Sequence, residues 1–219
     1  MFPLGTPLLP GALLPLHVFE LRYRMMMDDV LASEPHEFGV VMIERGHEVG
    51  GGDVRSDVGT LARVVRSEEA DDGRRAVIAF GSRRLRVVEW LPDDPYPVAS
   101  VEDWPIADGA EAAGDDDGSD GDVGVGVSGI EQDLVTRVSR FVALVRRLDE
   151  RAPDVDGRSL DEELVDYVYR VASSLPVGPA DRQAVLSAPS SAEAARRLAS
   201  AIDDLDALVR FRVGLGTDD

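Results

Sequence analysis

The first 24 residues, "MFPLGTPLLPGALLPLHVFELRYR" (1–24), are apolar for most of their length, and deciding what they build decides the fold. A secretory leader carries a basic n-region ahead of its apolar run. Here the first cation is Arg22, and Pro3, Pro7, Pro10 and Pro15 interrupt any helix. A membrane-spanning helix needs about 20 consecutive apolar residues, and no stretch of the chain supplies them in helix-compatible form. The N-terminus therefore reads as buried β structure. In "ELRYRMMMDDVLAS" (20–33), Tyr23, Met26, Met27, Val30 and Leu31 then fall at helical spacing and predict one short helix with a single apolar face.

Strand signals continue outward from this start. "FGVVMIER" (38–45) is rich in β-branched residues, and "GTLARVVRS" (59–67) follows a glycine-rich turn. "RRAVIAFGSRRLRVVEW" (74–90) holds two apolar runs separated by Gly81-Ser82, which reads as a β-hairpin. Residues 108–129 differ in kind, with seven acidic and no basic side chains among Gly, Ala and Ser. That composition predicts a flexible acidic loop. Beyond it the signals are helical: Ile130, Leu134, Val138, Phe141, Val142, Val145 and Leu148 form one stripe. Ser159 with Glu162, and Ser190 with Glu193, have the spacing of capping boxes. "PADRQAVLSAP" (179–189) fits a short helix closed by Pro189. The organisation expected is a β-rich lobe over 1–107, the acidic loop over 108–129 and a helical subdomain over 130–219.

"DDDGSDGDVGVGVSGIE" (115–131) contains a complete G-x-G-x-x-G at Gly124, Gly126 and Gly129. A dinucleotide loop must follow a buried parallel strand, so that backbone N–H groups and a helix N-terminus meet the pyrophosphate. Five carboxylates precede these glycines instead, and they would repel the anion. The spacing D-x-[DN]-x-[DN]-G of a calcium loop also fails at every start in this segment. A linker is the expected reading, with no cofactor and no metal.

Composition narrows function further. The 219 residues carry 42 acidic against 23 basic side chains, a net charge of −19, which disfavours nucleic acid because phosphates are held largely by cations. All the basic residues are arginine; lysine and cysteine are absent. A phosphate-loop lysine, a Schiff-base lysine, a Ser-Lys dyad, a thiol nucleophile and a thiolate metal ligand are therefore excluded. The lack of cysteine is in keeping with a reducing, cytoplasmic setting. The histidines are His17, His36 and His47; none has a second His at ligand spacing, and His17-x-x-Glu20 alone is a poor metal set. No G-x-S-x-G elbow is present. Arg74, Arg75, Arg83, Arg84 and Arg86 cluster in sequence near Asp71, Asp72 and Glu89, the signature of an ion-paired solvated face.

Five segments in order, 2–24, "FGVVMIERGHEVGGGD" (38–53), "DVGTLARVV" (57–65), "GSRRLRVVEW" (81–90) and "PYPVASVE" (95–102), resemble the N-terminal, substrate-binding domain of Lon proteases and the free-standing proteins built from it. The family's apolar-Pro-Leu, Pro-Gly turn, Leu-Pro-Leu-His, Phe-Glu and Arg-Tyr sequence is matched at Phe2 to Leu4, Pro10-Gly11, Leu14 to His17 and Phe19 to Tyr23. Leu21 departs where the family usually has proline, and Leu85 where an aromatic is common. Residues 175–198 are similar to the family's helical continuation. The resemblance implies an α+β fold: an N-terminal PUA-like β barrel with one short helix, then a helical subdomain. It also implies a non-catalytic module binding unfolded or damaged polypeptide segments, with a protease or chaperone as a further partner, and no membrane partner. Without lysine the chain is not expected to be the Ser-Lys peptidase of full-length Lon.

The binding patch expected from this resemblance is Phe19, Leu21, Tyr23 and Met25, with burial of these residues in the core as the competing reading. An exposed edge strand would favour polypeptide binding, since it pairs with extended chain irrespective of side chains. An RNA-binding PUA-like protein is the alternative, resting on the arginines. A small-molecule enzyme using carboxylates is a third reading, with no constellation to support it.

Overall fold

A computed structural model of the protein describes residues 1–45, 54–107, 123–149, 154–155, 157–159 and 161–214. His47 and most of the acidic segment lie outside the described residues. The chain divides into two compact units, Met1–Pro105 and Ile106–Asp219.

The first unit is a six-stranded sheet with one helix. In chain order come β1 (Phe2–Leu4), β2 (Leu13–Val18), α1 (Leu21–Ala32), β3 (Glu37–Arg45), β4 (Val54–Glu69), β5 (Arg75–Leu91) and β6 (Val98–Asp103). The spatial order is β1-β3-β4-β5-β2, with β6 pairing the later half of β5. Only β1 with β3 is parallel among the described pairs; the remainder are antiparallel. The resemblance implies a closed barrel, but this sheet is not closed. Its two end strands are short and each holds a proline, Pro3 in β1 and Pro15 in β2, which has no N–H to give to a neighbour.

Two glycines shape β2 and β5. Gly11, at φ +83°, donates its N–H to the Gly81 carbonyl (2.9 Å), while the Gly81 N–H donates to Ala12 O (2.9 Å). This is a G1 bulge, in which the first bulged residue must be left-handed and so favours glycine. Gly81 serves close approach: a Cβ there would lie 2.5 Å from the Leu9 carbonyl oxygen. The expected hairpin at Gly81-Ser82 does not form, and β5 runs straight through it. A two-residue hairpin turn of the favoured types needs positive φ, and Gly81 is not among the positive-φ glycines. Ser82 is instead the extra residue of a bulge between Leu61↔Arg83 and Ala62↔Gly81, and its hydroxyl donates to Leu61 O (2.9 Å). The chain reverses earlier, between β4 and β5, where Gly73 donates to Ala70 O.

Helix α1 follows its predicted periodicity. Tyr23, Met26 and Met27 are buried in a core with Phe2, Leu16, Val18, Phe38 and Val77. Its end is held by His36, whose Nδ1–H donates to Ser33 O (2.7 Å), so this histidine is structural.

The second unit holds α2 (Val123–Leu148), α3 (Leu164–Ser174), α4 (Pro179–Leu186) and α5 (Ser191–Val213). Helices α2, α3 and α4 all pack on α5. Its buried face alternates small Ala194, Ala195 and Ala201 with Leu198 and Ile202, which lets three neighbours approach. Of the α2 stripe, Leu134, Val138, Phe141 and Val142 are buried, whereas Leu148 is exposed. The Ser190 hydroxyl accepts from the Glu193 N–H (3.3 Å), as its capping-box spacing predicts. The Ser159 box differs: Ser159 N–H reaches Glu162 Oε2 (3.4 Å), but α3 begins at Leu164 with Glu163 as N-cap. Helix α2 begins at Val123, earlier than the predicted boundary at 130, so Gly124, Gly126 and Gly129 sit within a helix and not in a loop ahead of one. Glycine lowers helix propensity without forbidding the helix.

Candidate binding surface

Strand β5 turns its side chains in an order that size alone would not predict. Val77 and Ala79 point into the core, while Ile78 and Phe80 are exposed. Register then assembles a face. Leu13 of β2 lies opposite Phe80, Pro15 opposite Ile78 and His17 opposite Ala76. On the far side of β5, Phe80 faces Arg63 and Ile78 faces Arg66 of β4, with Val65 bulged out between. Leu13 and Val65 are 66% and 65% exposed. The outer face of β2, β5 and β4 is therefore a contiguous apolar patch fringed by Arg63, Arg66, His17 and Glu68. Such patches mark interaction sites on soluble proteins.

Phe19 extends this row one step past β2 and is 60% exposed. It lines two clefts. One, of about 390 Å³, is formed with His17, Val18, Ala76 and the charged residues Glu68, Glu69, Arg74 and Arg75. The other, of about 210 Å³, is bounded by Phe2 to Leu4 on one side and Pro15 to Val18 on the other. Leu21 and Met25, on the first turns of α1, are 67% and 43% exposed. Tyr23 is largely buried: it is 4% exposed, with its ring stacked on Phe2 at 4.4 Å between centroids, and it reaches the surface where it lines the second cleft. Helical spacing puts Tyr23 on the buried side with Met26 and Met27, and Leu21 and Met25 on the other. Three of the four residues expected in the patch are thus presented to solvent, and Tyr23 packs in the core with Phe2.

Of the clustered arginines, Arg74, Arg75 and Arg83 pair with carboxylates, while Arg84 and Arg86 lie over Trp104. Arg75 pairs with Asp28 of α1 and Glu69 of β4 (2.8 and 2.7 Å), tying the helix to the sheet. Arg83 pairs with Asp103 (2.8 Å), whose hydrogen bond raises its pKa. Arg74 donates backbone and side-chain N–H groups to Asp72, holding that carboxyl below the usual range. Arg84 is buried, with Nε donating to Trp104 O (3.0 Å) and the guanidinium 4.3 Å from the Trp104 ring centroid. Elsewhere on α1, the hydrogen bond from Tyr96 to Asp29 (2.6 Å) pushes the phenol up to about 12. Among the described residues no group of three or more His, Asp or Glu is placed to hold a metal, and no helix is long and apolar enough to cross a membrane. Glu20 is held by Arg22 Nε at 3.1 Å.

Sequence reasoning missed Leu13, Val65, Ile78 and Phe80. Strand alternation groups Ile78 with Phe80, but only the register of β2 on β5 shows which face is outward.

An open mixed sheet with an apolar outer face, followed by a helical unit, is the build of a recognition domain. The fold is shared with the Lon N-terminal domain protein from Xanthomonas campestris, at a TM-score of 0.58 and 24% identity, covering 91% of this chain and 95% of that one. It is shared also with the N-terminal domain of the Mycobacterium avium complex Lon protease, at a TM-score of 0.55 and 17% identity, covering 92% and 97%. A LON peptidase N-terminal domain and RING finger protein of Schizosaccharomyces pombe is 29% identical over 99 residues, which are 40% of this chain and 20% of that protein. The chain thus spans about a fifth of that curated relative. The model of the ATP-dependent protease La (LON) substrate-binding domain matches residues 1–204, and the chain belongs to this family of non-catalytic substrate-recognition domains.

Proposed function

We propose that this chain is a polypeptide-binding module that captures unfolded or damaged protein segments on the outer face of β2, β5 and β4, as an adaptor to a separate protease or chaperone. The observation that carries this reading is the orientation of β5, which exposes Ile78 and Phe80 beside Leu13 and keeps the smaller Val77 and Ala79 inside. Burying the exposed side chains against a partner would recover roughly 25 cal/mol per Å² of apolar surface. Phe19, Leu21 and Met25 extend the surface toward α1. Ion pairing of Arg74, Arg75 and Arg83 leaves little cationic surface for a phosphate backbone.

The test is binding of the purified chain to a permanently unfolded protein and to its folded counterpart, at low and moderate salt. Preference for the unfolded form that survives the salt supports an apolar contact. Equal binding to both forms, or binding abolished by moderate salt, would overturn the reading.

A further inference from the structure

We propose that the free edge of β2 takes its polypeptide as an added strand, and that the segment it selects is extended and apolar on both faces. This rests on the polypeptide-binding reading and specifies its mode. The G1 bulge fixes which backbone groups are available. Because Gly81 N–H bonds to Ala12 O, the hydrogen-bonded pairs in this ladder are Leu14 with Ala79, Leu16 with Val77 and Val18 with Arg75. Leu13, Pro15 and His17 occupy the alternate positions, so their backbone groups point away from β5 toward the open edge. Pro15 fits there without loss of a ladder bond, since its missing N–H would have faced outward. The edge thus offers an N–H and a C=O at Leu13, a C=O at Pro15, and an N–H and a C=O at His17.

A strand added here would meet two apolar environments. Its outward side chains would continue the row of Leu13, Pro15 and Phe19. Its inward side chains, parallel to Leu14, Leu16 and Val18, would enter the cleft of about 210 Å³ that separates β2 from Phe2, Pro3 and Leu4 of β1. A segment apolar on both faces is the sequence of a strand buried within another protein, exposed only when that protein unfolds. A second copy of this chain is a poor occupant, because each copy carries −19, and a neutral or basic segment of another protein is favoured for the same reason.

The experiment uses the full chain and synthetic peptides: one with a continuous β-branched and aromatic run, one with the same residues alternating with serine, and one with the continuous run N-methylated at every residue, since methylation of alternate residues would leave one edge of the peptide free to pair. His17→Pro removes the outward N–H without touching a bond to β5, and His17→Ala keeps it. Expected are weaker binding of the alternating peptide, about a tenfold or greater loss on N-methylation, and binding about 3- to 10-fold weaker for His17→Pro than for His17→Ala, which lacks the same side chain but keeps the N–H, as suits one or two hydrogen bonds. Because N-methylation leaves the protein unaltered, a folding defect in His17→Pro cannot mask the answer. If the N-methylated peptide binds as well as its parent, edge pairing is refuted while polypeptide binding stands; if the alternating peptide binds equally, selection on both faces is refuted. If neither peptides nor unfolded protein bind, both proposals fall.

Discussion

Replacing glycine by alanine at two positions should move stability in opposite directions. At Gly81 a Cβ would sit 2.5 Å from Leu9 O and 3.2 Å from Leu8 Cγ, and the first contact is backbone, which cannot swing away. Relief requires β2 and the preceding segment to retreat, weakening the pair of 2.9 Å bonds that make the Gly11 bulge. Overpacking of this kind costs about 1–3 kcal/mol, and one weakened hydrogen bond adds about 1 kcal/mol, so Gly81→Ala should lose about 2–4 kcal/mol. Gly129, the last glycine of the G-x-G-x-x-G, lies in α2, and a Cβ added there would meet nothing within 4 Å. There alanine should gain about 0.5–1 kcal/mol by restricting the unfolded chain and favouring helix. Both tryptophans, Trp90 and Trp104, belong to the first unit. Urea unfolding followed by tryptophan fluorescence therefore reads Gly81→Ala, and helical circular dichroism reads chiefly Gly129→Ala. Loss of stability at Gly129 would refute its place in an open helical position, and a neutral Gly81→Ala would refute the close approach of Leu9.

Phe19 and Tyr23 should separate binding from stability: Phe19→Ala should weaken capture of unfolded protein while costing about 1 kcal/mol or less, given its exposure, whereas Tyr23→Ala should cost about 3–5 kcal/mol in urea unfolding. Leu21→Pro should stabilise the first unit by about 0.4–1 kcal/mol, because Leu21 is the first residue of α1 and Glu20 before it is extended at φ −68°, ψ 135°, as a residue preceding proline must be; a fall in the fluorescence-detected midpoint would contradict that. In the second unit, the hydrogen bonds from Arg170 (2.8 and 2.9 Å) hold the Glu162 carboxyl below its usual value. A depressed carboxyl pKa stabilises the fold above the unfolded pKa and loses that contribution as pH falls through the folded value. Glu162→Gln should therefore cost about 1 kcal/mol at neutral pH, with the gap from the parent closing below about pH 4.5 in the helical signal.

The parts of the fold legible in sequence are those where chemistry acts locally. Prolines at 3, 7, 10 and 15 kept the opening residues from reading as a helix, and β1 and β2 form there; the spacing of Tyr23, Met26 and Met27 gave α1 its buried side, and Ser190 with Glu193 capped α5. The misread parts depend on facts that a sequence does not carry. Gly81-Ser82 has hairpin composition, but Gly81 stays in strand pairing, opposite Ala62 of β4 and bonded to Gly11 and Ala12. Ser159 and Glu162 bond as a capping box does, yet packing starts the helix later, at Leu164. For the site, Phe19, Leu21 and Met25 are exposed as a surface patch requires, whereas helical spacing already turned Tyr23 inward with Met26 and Met27. The larger apolar face was hidden because inside and outside on β5 are assigned by its partners, and residue size suggests the reverse.

The order of strands along the chain also has a biosynthetic consequence. β3, β4, β5 and β6 pair sequentially as they appear, but β2 pairs with β5, so Val18 waits for Arg75, 57 residues later. At roughly 5–20 residues per second of translation, β2 spends roughly 3 to 12 seconds without its partner strand. Of the strands in this sheet, β2 waits longest for its partner, so a module proposed to catch exposed apolar segments presents one of its own while it is being made.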